Sequence, residues 1–98
     1  MKFSKDALVN GTSFKGDFYA YYHEIVEVFG EPDHGPNNFE HDKVTCEWDL
    51  EFEDGTVATI YDWKEPETPM GRYLWHIGGK SYEAVDRVLE TMGRSIAV

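Results

Sequence analysis

Apolar and polar positions alternate most strictly over residues 44–53. Val44, Cys46, Trp48, Leu50 and Phe52 interleave with Thr45, Glu47, Asp49, Glu51 and Glu53. This period of two predicts a half-buried strand. Asp54-Gly55 follows and reads as a two-residue primed turn, in which glycine tolerates positive φ. The return strand is Thr56–Trp63. Such a turn sets Phe52 opposite Val57, Leu50 opposite Thr59, Trp48 opposite Tyr61 and Cys46 opposite Trp63, so the apolar sides coincide. On the other side Glu47 falls opposite Asp62, Asp49 opposite Ile60 and Glu51 opposite Ala58. Like charges facing each other across a ladder destabilise it. Glu47 and Asp62 are therefore expected to sit apart in water, meet a cation or meet a basic partner. A third strand is predicted over Arg72–Ile77, with Tyr73, Trp75 and Ile77 on its inner side, and Gly78-Gly79 ends it.

The period changes on either side of these strands. Phe18, Tyr21 or Tyr22, Ile25, and Val28 or Phe29 recur at helical spacing, which predicts a helix from about Asp17 to Phe29. Asp17 would cap it, Gly30 stop it and Pro32 prevent its resumption. A second helix opens at Ser81 and carries Tyr82, Val85, Val88 or Leu89, and Met92 on one face, with Gly93 at its end. Ala7–Val9 offers at most a short strand, and Asn10–Ser13 reads as a turn. Residues 31–42 and 64–71 read as loops, and the tail Arg94–Val98 as frayed. The predicted architecture is a single α+β domain: a three-stranded antiparallel meander with an N-terminal and a C-terminal helix, in the order α-β-β-β-α. The helices are the available cover for the inner sheet face.

The composition fits one domain. There are 98 residues, of which 41% are hydrophobic and 15% aromatic, enough for a single core. A domain of this size gains from association, and six Tyr with three Trp suit an oligomer interface. The formal net charge is −10. That argues against direct nucleic-acid binding, which relies on Lys and Arg, and leaves either a basic partner or simple solubility. Cys46 is the only cysteine, so no internal disulfide can form. The opening Met1–Asp6 lacks the apolar run of a leader and no stretch is long enough to cross a membrane. The expected location is cytoplasmic.

Two constellations point to a small-molecule site. Gly78-Gly79-Lys80-Ser81 lies between a predicted strand and a predicted helix, where free N–H groups beside a lysine can hold a phosphate or carboxylate. It is not a phosphate loop, because Leu74 stands where the leading glycine belongs. The competing reading is a plain strand-to-helix turn with Ser81 as cap. Tyr61, Trp63, Lys64, Arg72, Trp75 and His76 place aromatics beside cations, a combination that suits base stacking with phosphate contacts. Trp63 and Trp75 fall on sides predicted to be inner and read equally as core. Glu47, Asp49, Glu51, Glu53 and Asp62 form an acidic set that suits a basic protein groove, or is a solvated sheet face. No metal or other cofactor is expected. The acids follow no calcium-loop spacing, and His23, His34, His41, His76 and Cys46 follow no zinc spacing. Cys46 reads as a small buried hydrophobe. A paired-carboxylate hydrolase on Glu47 and Asp62 is the sole enzymatic reading.

The stretch Glu47–Lys64, with Trp75-His76-Ile77-Gly78-Gly79 and Phe29-Gly30-Glu31-Pro32, resembles small accessory proteins of tailed bacteriophages. The resemblance spans roughly residues 25–90 and leaves the first twenty-odd residues and the tail outside it. It implies action by binding rather than catalysis, against host defence. One form is sequestration of an anionic, nucleotide-like ligand, with pockets between subunits of an oligomer. The alternative is an acidic inhibitor or nucleic-acid mimic that binds a host protein.

Overall fold

Two edge strands that the periodicity does not announce complete the sheet. The computed structural model describes residues 1–94. In chain order it holds β1 (Phe3–Lys5), β2 (Ser13–Ala20), α1 (Tyr22–Phe29), β3 (Glu47–Phe52), β4 (Val57–Tyr61), β5 (Tyr73–Gly79) and α2 (Glu83–Thr91). The strands form one antiparallel sheet in the order β1-β3-β4-β5-β2. The three-stranded meander with an N-terminal helix is therefore corrected to a five-stranded sheet with two helices. The last four residues of the chain, most of the tail read as frayed, lie outside the described residues.

The predicted first helix divides in two. Asp17 is not a cap but a strand residue paired with His76, while Phe18 pairs with Trp75 and Ala20 with Tyr73. Phe18 and Ala20 point into the core. The aromatic run over 18–22 fits a pleated surface as well as a helix, and pairing with β5 decides for the strand. The helix begins only where the Glu24 carboxylate accepts the Tyr21 N–H at 2.8 Å. It ends as the sequence predicts, with Gly30 at positive φ donating to the Val26 carbonyl.

The hairpin closes through three residues, not two. Gly55, at φ 88°, donates to the Phe52 carbonyl, and the Phe52 N–H donates to the Thr56 carbonyl. This is a turn followed by a left-handed glycine in the bulge position. The register becomes Trp48 with Ile60, Leu50 with Ala58, Asp49 with Thr59 and Glu47 with Tyr61. A slip of one residue turns every side chain of the return strand to the opposite face. Ala58 and Ile60 thus enter the core and Asp62 is buried beneath the sheet. Val57, Thr59, Tyr61 and Trp63 belong to the other face.

Both helices pack on one side of the sheet. Ile25 and Phe29 of α1 and Ala84 and Val88 of α2 join Phe18, Trp48, Leu50, Phe52, Ile60, Trp75 and Ile77 in one core. Trp48 and Trp75 meet edge to face at 5.5 Å, and their indole N–H groups donate to the carbonyls of Gly30 and Ala20, so neither burial leaves a donor unpaired. Helix α2 starts one residue later than predicted, with Tyr82 rather than Ser81 at its N-cap and Tyr82 exposed. Neither helix bears on the second sheet face, an arrangement open to antiparallel sheets.

Candidate functional site

The uncovered face carries an aromatic cleft. A bulge between Phe14 and Gly16 turns Phe14 of β2 to this face, opposite Gly78, and strand alternation brings Tyr61 of β4 and His76 of β5 to the same side. Trp63, two residues beyond Tyr61, continues the same side. These four line a cleft of about 330 Å³. The His76 ring sits 5.5 Å from Tyr61 and 5.6 Å from Phe14, centroid to centroid. Phe14 is 55% and Trp63 44% exposed, large values for aromatics beside one another. The Trp63 N–H is held by the Tyr73 hydroxyl at 3.1 Å, which fixes the backbone beneath an exposed indole.

A second groove of about 220 Å³ shares Tyr61 and Trp63 and runs over Thr59 and Gly78 to Glu47, flanked by Thr12 and Val44. Gly78 keeps this floor low, because a Cβ there would collide with the Thr59 hydroxyl and approach the Tyr61 ring to 3.3 Å. Burial and the Glu47 charge raise the Tyr61 hydroxyl's pKa, so Tyr61 keeps its proton and serves as a donor.

Of the ten residues singled out for a ligand site, Tyr61, Trp63, His76 and Gly78 come together. The other six do not join them. Trp75 is core. Arg72 stacks on Tyr19 at 4.0 Å, and lies four residues along the strand from His76, roughly 13 Å at strand rise. Lys64 borders a separate depression with Phe39, His41, Lys43 and Pro66. Gly79 lies against α2, where a Cβ would meet that of Ala84. Lys80 and Ser81 are exposed in the turn, and the Ser81 carbonyl accepts from Ala84 N–H. The Gly-Gly-Lys-Ser segment is thus a packing turn. Phe14 escaped notice because its stretch reads as turn and helix approach. Alternation with Phe18 and Ala20 would place it in the core, and only the bulge between Phe14 and Gly16 turns it to the open face.

The acidic set is likewise dispersed. Asp62 is fully buried, accepting from the N–H groups of Thr45 and Cys46 and from the Thr45 hydroxyl. It faces away from Glu47, so the two do not form a carboxylate pair. Burial and Asp62 raise the neighbouring Cys46 thiol's pKa, which leaves it an inert core thiol. Glu51 and Glu53 are exposed, while Asp49 is buried.

Asp49 belongs to a different cluster. The backbone of His34 pairs with that of Glu47 through two hydrogen bonds, 3.0 and 2.8 Å. Directly paired residues project to the same side, and Asp49 lies two residues further on that side. His34 Nε2 stands 3.2 Å from Asp49 Oδ2. Burial, the adjoining Asp49 carboxyl and the charges of Asp49 and Asp33 push the Glu47 carboxyl's pKa up to about 9.

No protein family, curated protein or solved structure matches this chain. The functional reading therefore rests on its own residues. No helix among the described residues is long and apolar enough to cross a membrane.

Proposed function

We propose that the protein is a binding module whose Phe14, Tyr61, Trp63 and His76 cleft takes a planar, nucleobase-like ring. The observation that carries this is the exposed Trp63 indole beside an open face of three further rings. Stacking between a base and an aromatic side chain is worth roughly 1–3 kcal/mol and tolerates many ring systems. The Tyr61 hydroxyl and the His76 imidazole supply the few polar contacts such a site needs to orient its ligand. Among the described residues no lysine or arginine lines the cleft, so ring contact rather than phosphate capture drives the association. Sequestration of a nucleotide-like signal against host defence extends this reading through the phage resemblance alone. The protein-inhibitor alternative is carried by the net charge of −10.

Trp63 is also the reporter. The other two tryptophans, Trp48 and Trp75, are fully buried, so a ligand in the cleft quenches Trp63 selectively. Titration with adenosine, adenosine monophosphate and cyclic dinucleotides should give saturable quenching, with nucleoside and nucleotide of similar affinity. Trp63→Phe should bind more weakly and Phe14→Ala should lose about tenfold in affinity, as expected for one lost stacking contact. Absence of saturable quenching, or undiminished affinity in Phe14→Ala measured by calorimetry, overturns the reading. If Trp63 is also shielded from acrylamide, the face is an interface between copies of this chain.

A further inference from the structure

We propose that His34, Glu47 and Asp49 form a binding site for a divalent transition-metal ion of the zinc or manganese type. Each offers one ligand atom, an imidazole nitrogen or a carboxylate oxygen, and the three atoms lie within 4.8 Å of one another. The proposal does not rest on the aromatic cleft.

A second observation points to a ligand. The Asp49 side chain is only 5% exposed, and its Oδ1 finds no hydrogen-bond donor among the described residues. A buried carboxylate oxygen without a partner carries a full desolvation cost. A cation bound between Asp49 and Glu47 removes that cost.

The backbone holds the donors in place. The His34–Glu47 bridge fixes one flank, and Asp33 fixes the other by accepting the Asp49 N–H at 2.7 Å and the Asp6 N–H at 3.1 Å. Lys5 approaches the same Asp33 carboxylate to 3.8 Å, which engages Asp33 outside the ligand set. A tetrahedral ion with bonds of about 2.1 Å wants its ligand atoms about 3.4 Å apart. The half-exposed His34 and Glu47 side chains can close by the remaining ångström or so. Three protein ligands leave a position open to water or a further group, as in zinc sites that keep an exchangeable ligand. The imidazole selects against magnesium and calcium, which prefer oxygen throughout. Spacing along the chain could not show this site, because its parts come from a loop and a strand thirteen positions apart.

The test uses the full chain after dialysis against a chelator. Titration with Co²⁺, followed by its visible absorption, should show one equivalent bound, displaced by Zn²⁺. Calorimetry should show Zn²⁺ and Mn²⁺ binding and little heat from Mg²⁺ or Ca²⁺. His34→Ala and Glu47→Gln should each weaken Zn²⁺ binding at least tenfold, while His23→Ala on α1 leaves it unchanged. Glu47→Gln keeps the size and polarity of the side chain at a half-buried position, so it should fold about as stably as the parent without metal. Its retained thermal transition with a lost Zn²⁺-induced rise separates loss of the site from loss of the fold. Absence of saturable binding at millimolar metal, or binding undiminished in both variants, overturns the proposal.

Discussion

Asp62 shows at the scale of one residue what the register correction means. It carries a carboxylate into the interior and matches each of its oxygens to donors: the N–H groups of Thr45 and Cys46 on Oδ1 and the Thr45 hydroxyl on Oδ2. The network continues from Thr45 to the Thr68 hydroxyl at 2.8 Å, and Thr68 exchanges two hydrogen bonds with Asn37. One carboxylate thus ties the loops at 31–46 and 62–72 to the sheet. Asp62→Ala strands two buried N–H groups and should lower the unfolding free energy by about 3 kcal/mol. Asp62→Asn keeps an oxygen for both N–H groups and presents its amide N–H to the Thr45 hydroxyl, so it should cost about 1 kcal/mol. Urea unfolding measures both, and equal losses would mean that charge rather than pairing matters. Gly79 makes the complementary case. A Cβ there would lie 3.1 Å from the Ser81 carbonyl oxygen and 3.2 Å from that of Val57, besides striking Ala84. Gly79→Ala should cost about 2 kcal/mol through overpacking. Lys80→Ala next to it should change stability by less than about 0.5 kcal/mol and leave ligand affinity untouched. A Lys80→Ala variant that lost binding would restore the phosphate-type reading of this turn.

At the scale of elements, the hairpin turn and α2 are joined by one ion pair. Asp54 accepts from Arg87 Nε at 2.8 Å and from the Thr56 N–H at 3.0 Å. The Arg87 contact, foremost, lowers the Asp54 carboxyl from its ordinary 3.8 to about 2. A depressed carboxylate contributes stability that is fully present above its unfolded value and is lost as pH falls through its folded value. The contribution should therefore be intact above about pH 4 and gone near pH 2. Asp54→Asn should flatten that part of the acid limb in a pH series of thermal transitions, and an unchanged limb would show the pair to be solvent-separated. The same turn marks the limit of what the pattern made legible. The inward side of Trp48, Leu50 and Phe52, the helix end at Gly30, the inner side of Tyr73, Trp75 and Ile77, and the burial of Cys46 all follow from local pattern and were readable, whereas the strand itself begins only at Glu47 and leaves Val44 on the open-face groove. Asp54-Gly55 suits a two-residue turn and also the last two places of a three-residue one, and only the packing of Ala58 and Ile60 against the core separates them. The slip moved Trp63 from expected core to open face and Asp62 from expected surface to interior. Strand β2 was hidden for a related reason: Phe18 to Tyr22 satisfies both periods, and its partner lies about sixty residues downstream.

The whole molecule depends on that distant pairing. β4 is the central strand of the sheet, and the two edges, β1 and β2, both come from the first twenty residues. Those residues hold the core shut. Phe3 packs on Phe29 at 5.0 Å and on Phe52 at 6.3 Å. Phe18 and Ala20 complete the core beside Trp75, and the Ala20 carbonyl accepts the Trp75 indole N–H. On the open face β2 supplies Phe14, one of the four rings of the cleft. A chain beginning at Tyr21 would keep the hairpin, the third strand and both helices, the meander that the periodicity alone predicts. It would also leave two strand edges unpaired, an indole donor without its acceptor and Phe52 uncovered. Burial of each large apolar side chain contributes roughly 1.5–3 kcal/mol, against a total stability of about 5–15 kcal/mol for a domain. Loss of Phe3 and Phe18 together with the rest of β1 and β2 exceeds what a small domain can spare. The truncated chain is expected to show no cooperative thermal transition and a collapsed spread of amide proton shifts, while the full chain shows both. A cooperative transition in the truncated chain would mean that three strands and two helices suffice, and that β1 and β2 serve the cleft rather than the fold.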